Sequence, residues 1–153
     1  MTTDFKPIEA IGGDFSCGMM IVADHAMRHM PDEYGRLGLP DHEFDRHIAY
    51  DIGVEGVVRH LADLTGAPAV MARYSRLLID PNRGEDDPTL VRQIYDGAVI
   101  PGNYPLYADE LHRRIETWFR PFRTAVEETA AAIEGRTGAA AMMLSIHSFT
   151  PRM

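Results

Sequence analysis

Short apolar runs alternate along this chain with longer segments that have helical periodicity. Met19–Ala23 is a continuous apolar run and predicts a buried strand. Residues 69–71 and 76–79 predict two more short strands, and residues 139–146 predict a final one. Every run falls short of the roughly 20 apolar residues that cross a membrane. The apolar pattern therefore predicts the strands of a buried sheet.

Two segments carry apolar residues at the spacing of a helix. The first begins at Asp41, a residue type that favours helix N-termini, and ends at Gly66 and Pro68. The second covers residues 104–134, where Pro121 should kink or divide the helix because proline lacks a backbone N–H donor. Strands that alternate with helices predict an α/β fold, with a mainly parallel sheet and helices on its faces.

Three of the predicted strands end in polar clusters. Asp24 and His25 follow the first strand, and residues 80–83 (Asp-Pro-Asn-Arg) follow the strand at 76–79. Residues 145–148 (Ser-Ile-His-Ser) end the last strand. Ligand sites in open α/β sheets lie outside the carboxyl ends of the strands. We therefore expect these clusters to meet at one edge of the sheet, although they are far apart in sequence.

Length and composition narrow the classes of function. The 153 residues suit one domain, and the formal net charge of -8 argues against general binding to nucleic acid or acidic membranes. Lys6 is the only lysine, which excludes Schiff-base chemistry and a phosphate loop that needs lysine. Cys17 is the only cysteine, and the N-terminus lacks a secretion signal, so we expect a cytoplasmic protein.

His25 and His147 are candidate ligands of one metal ion, because neutral imidazole is a common zinc ligand. The alternative from position alone is that each histidine caps its strand and makes local hydrogen bonds. Asp45 could add a carboxylate ligand, although acidic residues near a helix start are also favoured by the helix dipole. A helical metalloprotease motif is excluded, because Ala26 stands where its glutamate would be.

Arg76 and Arg83 lie on either side of Asp80 and Asn82. Arginine binds carboxylates through two parallel hydrogen bonds, so these side chains could recognise an acidic substrate. The alternative is an Arg–Asp pair on the surface. A surface pair does not explain why the rigid Asp-Pro-Asn-Arg turn lies at a strand end, which favours a functional role for this turn.

Four segments resemble the N-formylglutamate amidohydrolase family. The segment ARYSRLLIDPNR (residues 72–83) resembles its signature of a strand, a serine–arginine pair and D-x-N-R. MIVADHA resembles its first strand, FDRHIAYDIGV the start of its first helix, and LSIHSFTP its later metal-binding strand. The resemblance spans residues 21–151, and the segments follow the family's order. It implies a three-layer α/β/α fold with a mixed, mainly parallel sheet, similar to the zinc carboxypeptidases.

The resemblance also implies roles for particular residues. His25, His147 and Asp45 would bind one zinc ion, although carboxypeptidases carry the acidic ligand at the place that Arg28 occupies here. Asn82 and Arg83 match the carboxypeptidase-like pair that holds the substrate carboxylate. The predicted substrate-binding residues are Arg28, Arg76, Asn82, Arg83 and Ser148.

The function implied is zinc-dependent hydrolysis of N-formyl-L-glutamate or a related N-acyl amino acid, a small-molecule substrate. Similar enzymes carry the proton-shuttling glutamate after the second zinc histidine, and we expect it beyond Met153. Residues 1–153 would then form a single, incomplete amidohydrolase domain, whose open last strand favours homo-oligomers. The alternatives are a non-catalytic carboxylate-binding domain on the same scaffold and an α/β interaction domain whose strand-end residues are ordinary caps.

Overall fold

A mixed sheet of four strands organises residues 5–150, the part of the chain that the computed structural model describes. Its strands are β1 (Ile8–Ile11), β2 (Met19–Ala23), β3 (Ala69–Ala72) and β6 (Met142–Ser145), in the order β1-β3-β2-β6. β2 pairs in parallel with both β3 and β6, and β1 pairs with β3 in antiparallel orientation. Two short strands, β4 (Ile94–Tyr95) and β5 (Ala98–Val99), form a separate hairpin.

Helices pack on the sheet through alternating residues of the strands. Ile21 and Ala23 of β2 belong to one buried cluster together with α1 (Val54–Thr65). Met20 and Val22, which point the other way, belong to a second cluster together with α3 (Arg120–Thr137). The predicted α/β class is confirmed. The closer likeness to zinc carboxypeptidases stays a prediction.

The segment after Asp41 is not the long helix that the sequence predicts. A short 3-10 helix covers Asp41–Asp45, turns follow, and α1 begins only at Val54. The backbone N–H of Asp51 donates to the carbonyl of His25 at 2.9 Å. The backbone of this segment thus bonds to distant parts of the chain instead of forming a helical ladder, which is why the apolar spacing was misleading.

Residues 76–79 are also not a strand. Leu77, Leu78 and Ile79 are fully buried, but the first two lie in a turn and Ile79 follows it without regular structure. The Asn103 amide donates to the carbonyl of Leu77 at 2.8 Å, and the Arg114 guanidinium donates to that of Leu78 at 2.9 Å. Side chains therefore satisfy the carbonyls that a neighbouring strand would otherwise bind.

The predicted C-terminal helix consists of three consecutive parts. These are α2 (Ala108–Arg114), a π-helical turn (Ile115–Phe119) and α3. Pro121 lies in the first turn of α3, directly after the π-helical turn. The helix widens before the proline instead of dividing there, which accommodates the missing N–H donor.

The edge strand β6 is exposed along its whole length. Its side chains Met142, Met143 and Leu144 are 59%, 50% and 40% exposed. Self-association through this edge stays a prediction. Within residues 5–150, no helix has both the length and the apolar character needed to cross a membrane.

Candidate metal centre

Two histidines meet at the carboxyl ends of β2 and β6. The parallel register pairs Val22 with Ser145, so the two strands end at the same level. His25 and His147 follow directly, and the centroids of their rings are 5.7 Å apart. The sequence predicted this convergence from the polar residues at the strand ends, and the structure brings both imidazoles together.

Two carboxylates face the Nδ1 atom of each ring. Oδ1 of Asp24 lies 3.6 Å from Nδ1 of His25 and 3.6 Å from Nδ1 of His147. Oδ2 of Asp51 lies 3.7 Å and 3.0 Å from the same two nitrogens. Ligand atoms of Asp24, His25 and His147 all lie within 4.8 Å of one another. Two nitrogens and two carboxylate oxygens thus surround one small space.

The other nitrogen of each ring is already engaged. Nε2 of His25 lies 2.6 Å from Oδ1 of the buried Asp80. Nε2 of His147 lies 3.2 Å from the hydroxyl of Ser145. Histidines that bind metals commonly donate their second nitrogen to a carboxylate or another acceptor, which fixes the ring and its tautomer. The contacts of Nε2 therefore leave Nδ1 of both rings directed at the carboxylates, where a cation could replace the hydrogen bond between Nδ1 of His147 and Oδ2 of Asp51.

Arg76 holds the carboxylate of Asp51 in place. Its guanidinium donates to Oδ1 of Asp51, and both residues are buried. Oδ2, the other oxygen of Asp51, faces the two histidines and accepts the backbone N–H of Ser148 at 3.4 Å. Arg76 and Ser148, both predicted to bind substrate, are thus seen in contact with Asp51.

Burial and neighbouring charges shift the pKa values in this cluster. Burial raises the pKa of Asp24, although the neighbouring histidines oppose the shift. Burial alone would lower the pKa of His25, but hydrogen bonds to Asp51 and Asp80 outweigh it and raise this pKa to about 9. Burial alone would raise the pKa values of Asp51 and Asp80, but hydrogen bonds to His25 outweigh it and lower both. In the metal-free protein, protonated His25 therefore balances the buried carboxylates.

The cluster fits a divalent cation. Oδ1 of Asp24 is buried and has no hydrogen-bond partner among residues 5–150. An unpartnered buried carboxylate oxygen is costly, and a cation would remove that cost. Imidazole nitrogens together with a carboxylate oxygen are the ligand types of catalytic zinc sites.

Asp45 does not join this cluster. Its side chain is 68% exposed and forms an ion pair with Arg28. The 3-10 helix ends at Asp45 and the chain continues in an extended conformation at Arg46, so Asp45 remains at the surface. Asp51, six residues further on, was not among the predicted ligands. The only feature of the sequence that pointed to Asp51 was its place in the FDRHIAYDIGV segment, which resembles the family.

Asn82 and Arg83 lie beside the cluster on the turn after Asp80. Asn82 and Asp24 line one cavity of about 320 Å³. The Arg83 guanidinium is 39% exposed and lies 3.7 Å from Oδ2 of Asp80. Both predicted carboxylate-binding residues are therefore accessible from solvent at this edge of the sheet.

Known proteins share both this sequence pattern and this fold. The sequence model of the N-formylglutamate amidohydrolase family matches residues 17–153. The crystal structure of a gene product from Agrobacterium tumefaciens is 30% identical and superposes with a TM-score of 0.87, covering 97% of this chain. N-formylglutamate amidohydrolase from Ralstonia eutropha is 21% identical and superposes with a TM-score of 0.66 over 95% of this chain, which supports the fold alone.

The chain is shorter than both of these solved structures. It spans 58% of the length of the Agrobacterium tumefaciens protein and 62% of that of the Ralstonia eutropha enzyme. No curated protein sequence matches it. Because the family model extends over most of its residues, the chain belongs to the N-formylglutamate amidohydrolase family.

Proposed function

We propose that this chain is a zinc-dependent amidohydrolase that cleaves the amide bond of N-formyl-L-glutamate, or of a related N-acyl amino acid. Water is consumed, and the acid and the free amino acid are released. The observation that carries the proposal is the pair of Nδ1 atoms, from His25 and His147, that face the carboxylates of Asp24 and Asp51. Family membership supports the reaction class, and the mixed sheet is compatible with a three-layer carboxypeptidase-like fold.

His25, His147 and Asp51 are the proposed zinc ligands, with Asp51 replacing the predicted Asp45. A ligating carboxylate must be ionised, and the pKa of Asp51 is lowered because bonds to His25 and the charge of Arg76 outweigh burial. Burial has the opposite effect on Asp24 and raises its pKa. A bound cation would offset this burial, because Oδ1 of Asp24 also lies 3.6 Å from both Nδ1 atoms. Arg76 acts through Asp51 as a positioning residue.

A bound zinc ion would supply an activated water and polarise the amide carbonyl. The chain's own residues orient the substrate and the ligands. Asn82 and Arg83 would hold the carboxylate of the amino acid, because a guanidinium forms two parallel hydrogen bonds with a carboxylate. Asp80 keeps Nε2 of His25 engaged, so that Nδ1 points into the site.

Metal analysis tests the choice of ligands. Protein purified without chelators should contain about one zinc ion per chain, as expected for one catalytic site. His147→Ala and Asp51→Asn should lose this zinc, whereas the matched control Asp45→Asn should keep it. Zinc retained by Asp51→Asn and lost by Asp45→Asn would show that the third ligand has been assigned wrongly.

Hydrolysis of N-formyl-L-glutamate tests the reaction itself. Release of glutamate by the zinc-loaded protein is expected, and it should be absent in His147→Ala. Binding of the substrate without release of glutamate would refute the enzymatic proposal. That outcome would support a domain that recognises carboxylates without turnover.

A further inference from the structure

A cavity of about 320 Å³ opens beside the metal centre, between α3 and the carboxyl ends of β2 and β6. Asp24 forms part of its wall, so the cavity borders the space that the two histidines face. Its apolar lining comes from Val22 of β2, Met143 of β6, and Phe122 and Val126 of α3. This volume is at the lower end of the range for small-molecule sites, about 300–1,000 Å³.

One cation of α3 lies at this cavity. Arg123 is exposed and lines the cavity, and its guanidinium lies over the ring of Phe119, 5.6 Å from the centroid. Arg120, on the same helix, binds Glu85 at 2.9 Å and also pairs with Glu116. Among residues 5–150, no carboxylate lies within ion-pair distance of Arg123. Its guanidinium is therefore held over an aromatic ring, between this cavity and a second one lined by Glu85, and it forms no ion pair within the described residues.

The remaining polar residues of the cavity clarify what Arg123 does. Asn82, the proposed contact of the amino-acid carboxylate, lines the same cavity. Asp24 and Glu127 also line it, and both would repel a second anionic group. Arg123 is the lining residue that offsets this repulsion. Arg123 is therefore the cation that an acidic side chain of the substrate would meet among the residues that line the cavity.

We propose that Arg123 is a specificity-determining residue, which binds the side-chain carboxylate of the substrate while Asn82 and Arg83 hold the carboxylate next to the amide. This inference rests on the proposed function, since it takes the substrate to be an N-acyl amino acid. It assigns α3 a role in substrate choice that is separate from metal binding.

The apparent affinity of the zinc-loaded protein for two probes tests this assignment, measured as KM where a probe is cleaved and by calorimetric titration where it is bound without turnover. The probes are N-formyl-L-glutamate and its neutral isostere N-formyl-L-glutamine, which differ only in the charge and polar atoms at the end of the side chain. Wild-type protein should prefer the glutamate compound. Arg123→Met should weaken binding of that compound by about tenfold or more, the size expected for a charge-assisted hydrogen bond, and leave the glutamine compound nearly unchanged.

Matched variants separate a local contact from a general charge effect. Arg136→Met removes the same charge from an exposed position on α3 and should change neither affinity. Arg123→Lys should restore part of the preference, because the charge remains and the planar donor pair is lost. Glu127→Gln should strengthen binding of the glutamate compound, because it removes a repulsive charge.

The outcomes distinguish this inference from the function on which it rests. Binding with the expected preference but without turnover would refute the hydrolase and leave the role of Arg123 intact. Turnover together with an unchanged glutamate preference in Arg123→Met would refute the role of Arg123 and leave the hydrolase intact. The inference is also overturned if Arg123→Met lowers the affinity for both probes equally, or if the wild-type protein does not bind the glutamate compound.

Discussion

Arg114 is a buried cation that connects α2 to the segment carrying Asp80. Only 2% of its side chain is exposed. Its guanidinium donates to Oε1 of Glu110 at 2.7 Å, to the carbonyl of Leu78 at 2.9 Å and to Oδ1 of Asn103 at 2.7 Å. We predict that Arg114→Met strongly destabilises the protein, because methionine fills much of the volume but donates no hydrogen bond.

The expected loss follows from the partners that the substitution leaves behind. The Leu78 carbonyl and the Asn103 amide are buried, and each unsatisfied buried polar group costs about 1–3 kcal/mol. The pair with Glu110 contributes less, because Glu110 is 30% exposed and partly screened by water. Arg114→Met should therefore lower the free energy of unfolding by about 3–5 kcal/mol, the usual cost of breaking a buried charged contact.

Urea unfolding followed by circular dichroism measures this loss. The neighbouring Arg113 is a matched control, since its side chain is 44% exposed and it binds Glu33 and Glu110 at the surface. Arg113→Met should cost about 1 kcal/mol or less. A cost below about 1 kcal/mol for Arg114→Met, or equal costs for both variants, would contradict the argument that burial makes this contact strong.

Three further predictions concern pH, metal affinity and a close backbone contact. Burial alone would raise the pKa of Glu110, but its arginine partners outweigh burial and lower this pKa. The ion pair therefore stabilises the fold above the pKa of Glu110 in the unfolded chain, and this stabilisation is lost as the pH falls. Urea unfolding below pH 4.5 should therefore show a shrinking difference between wild-type protein and Arg114→Met. Asp80→Asn should weaken zinc affinity by about 10–100-fold in a chelator competition, because His25 loses the carboxylate that orients it; unchanged affinity would count against this role. Gly13→Ala should lower the free energy of unfolding by about 1–3 kcal/mol, since its Cβ would lie 2.4 Å from a backbone oxygen, whereas Gly12→Ala meets nothing within 4 Å and should be nearly neutral.

The sequence allowed the strands nearest the site to be predicted well. β2, β3 and β6 all fall within or close to the apolar runs that predicted them. Each of these strands is a continuous apolar run, buried in β2 and β3 and exposed in β6, so a local pattern suffices to find them. β1 and the hairpin of β4 and β5 were missed. Their side chains are mostly half-buried or exposed, and their apolar pattern is correspondingly weak.

The candidate metal ligands were likewise predicted only in part. His25 and His147 were predicted because each directly follows a strand, and parallel strands end at a common edge. The third ligand was predicted as Asp45, whereas the structure places the carboxylates of Asp24 and Asp51 beside the histidines. Asp45 and Asp51 lie on the same connecting segment and cannot be ranked by residue type. The helix expected after Asp41 favoured Asp45, which lies at the surface instead.

The sequence by itself determined the α/β class, the strand ends that carry chemistry and the two histidines, because these depend on local apolar patterns. Only the tertiary structure decided that Asp51, and not Asp45, joins Asp24 beside the histidines. That choice depends on contacts between distant segments: the Asp51 N–H binds the His25 carbonyl, and the Arg76 guanidinium binds the Asp51 carboxylate. Such contacts form only when the loops fold against each other, and no periodicity along the chain encodes them.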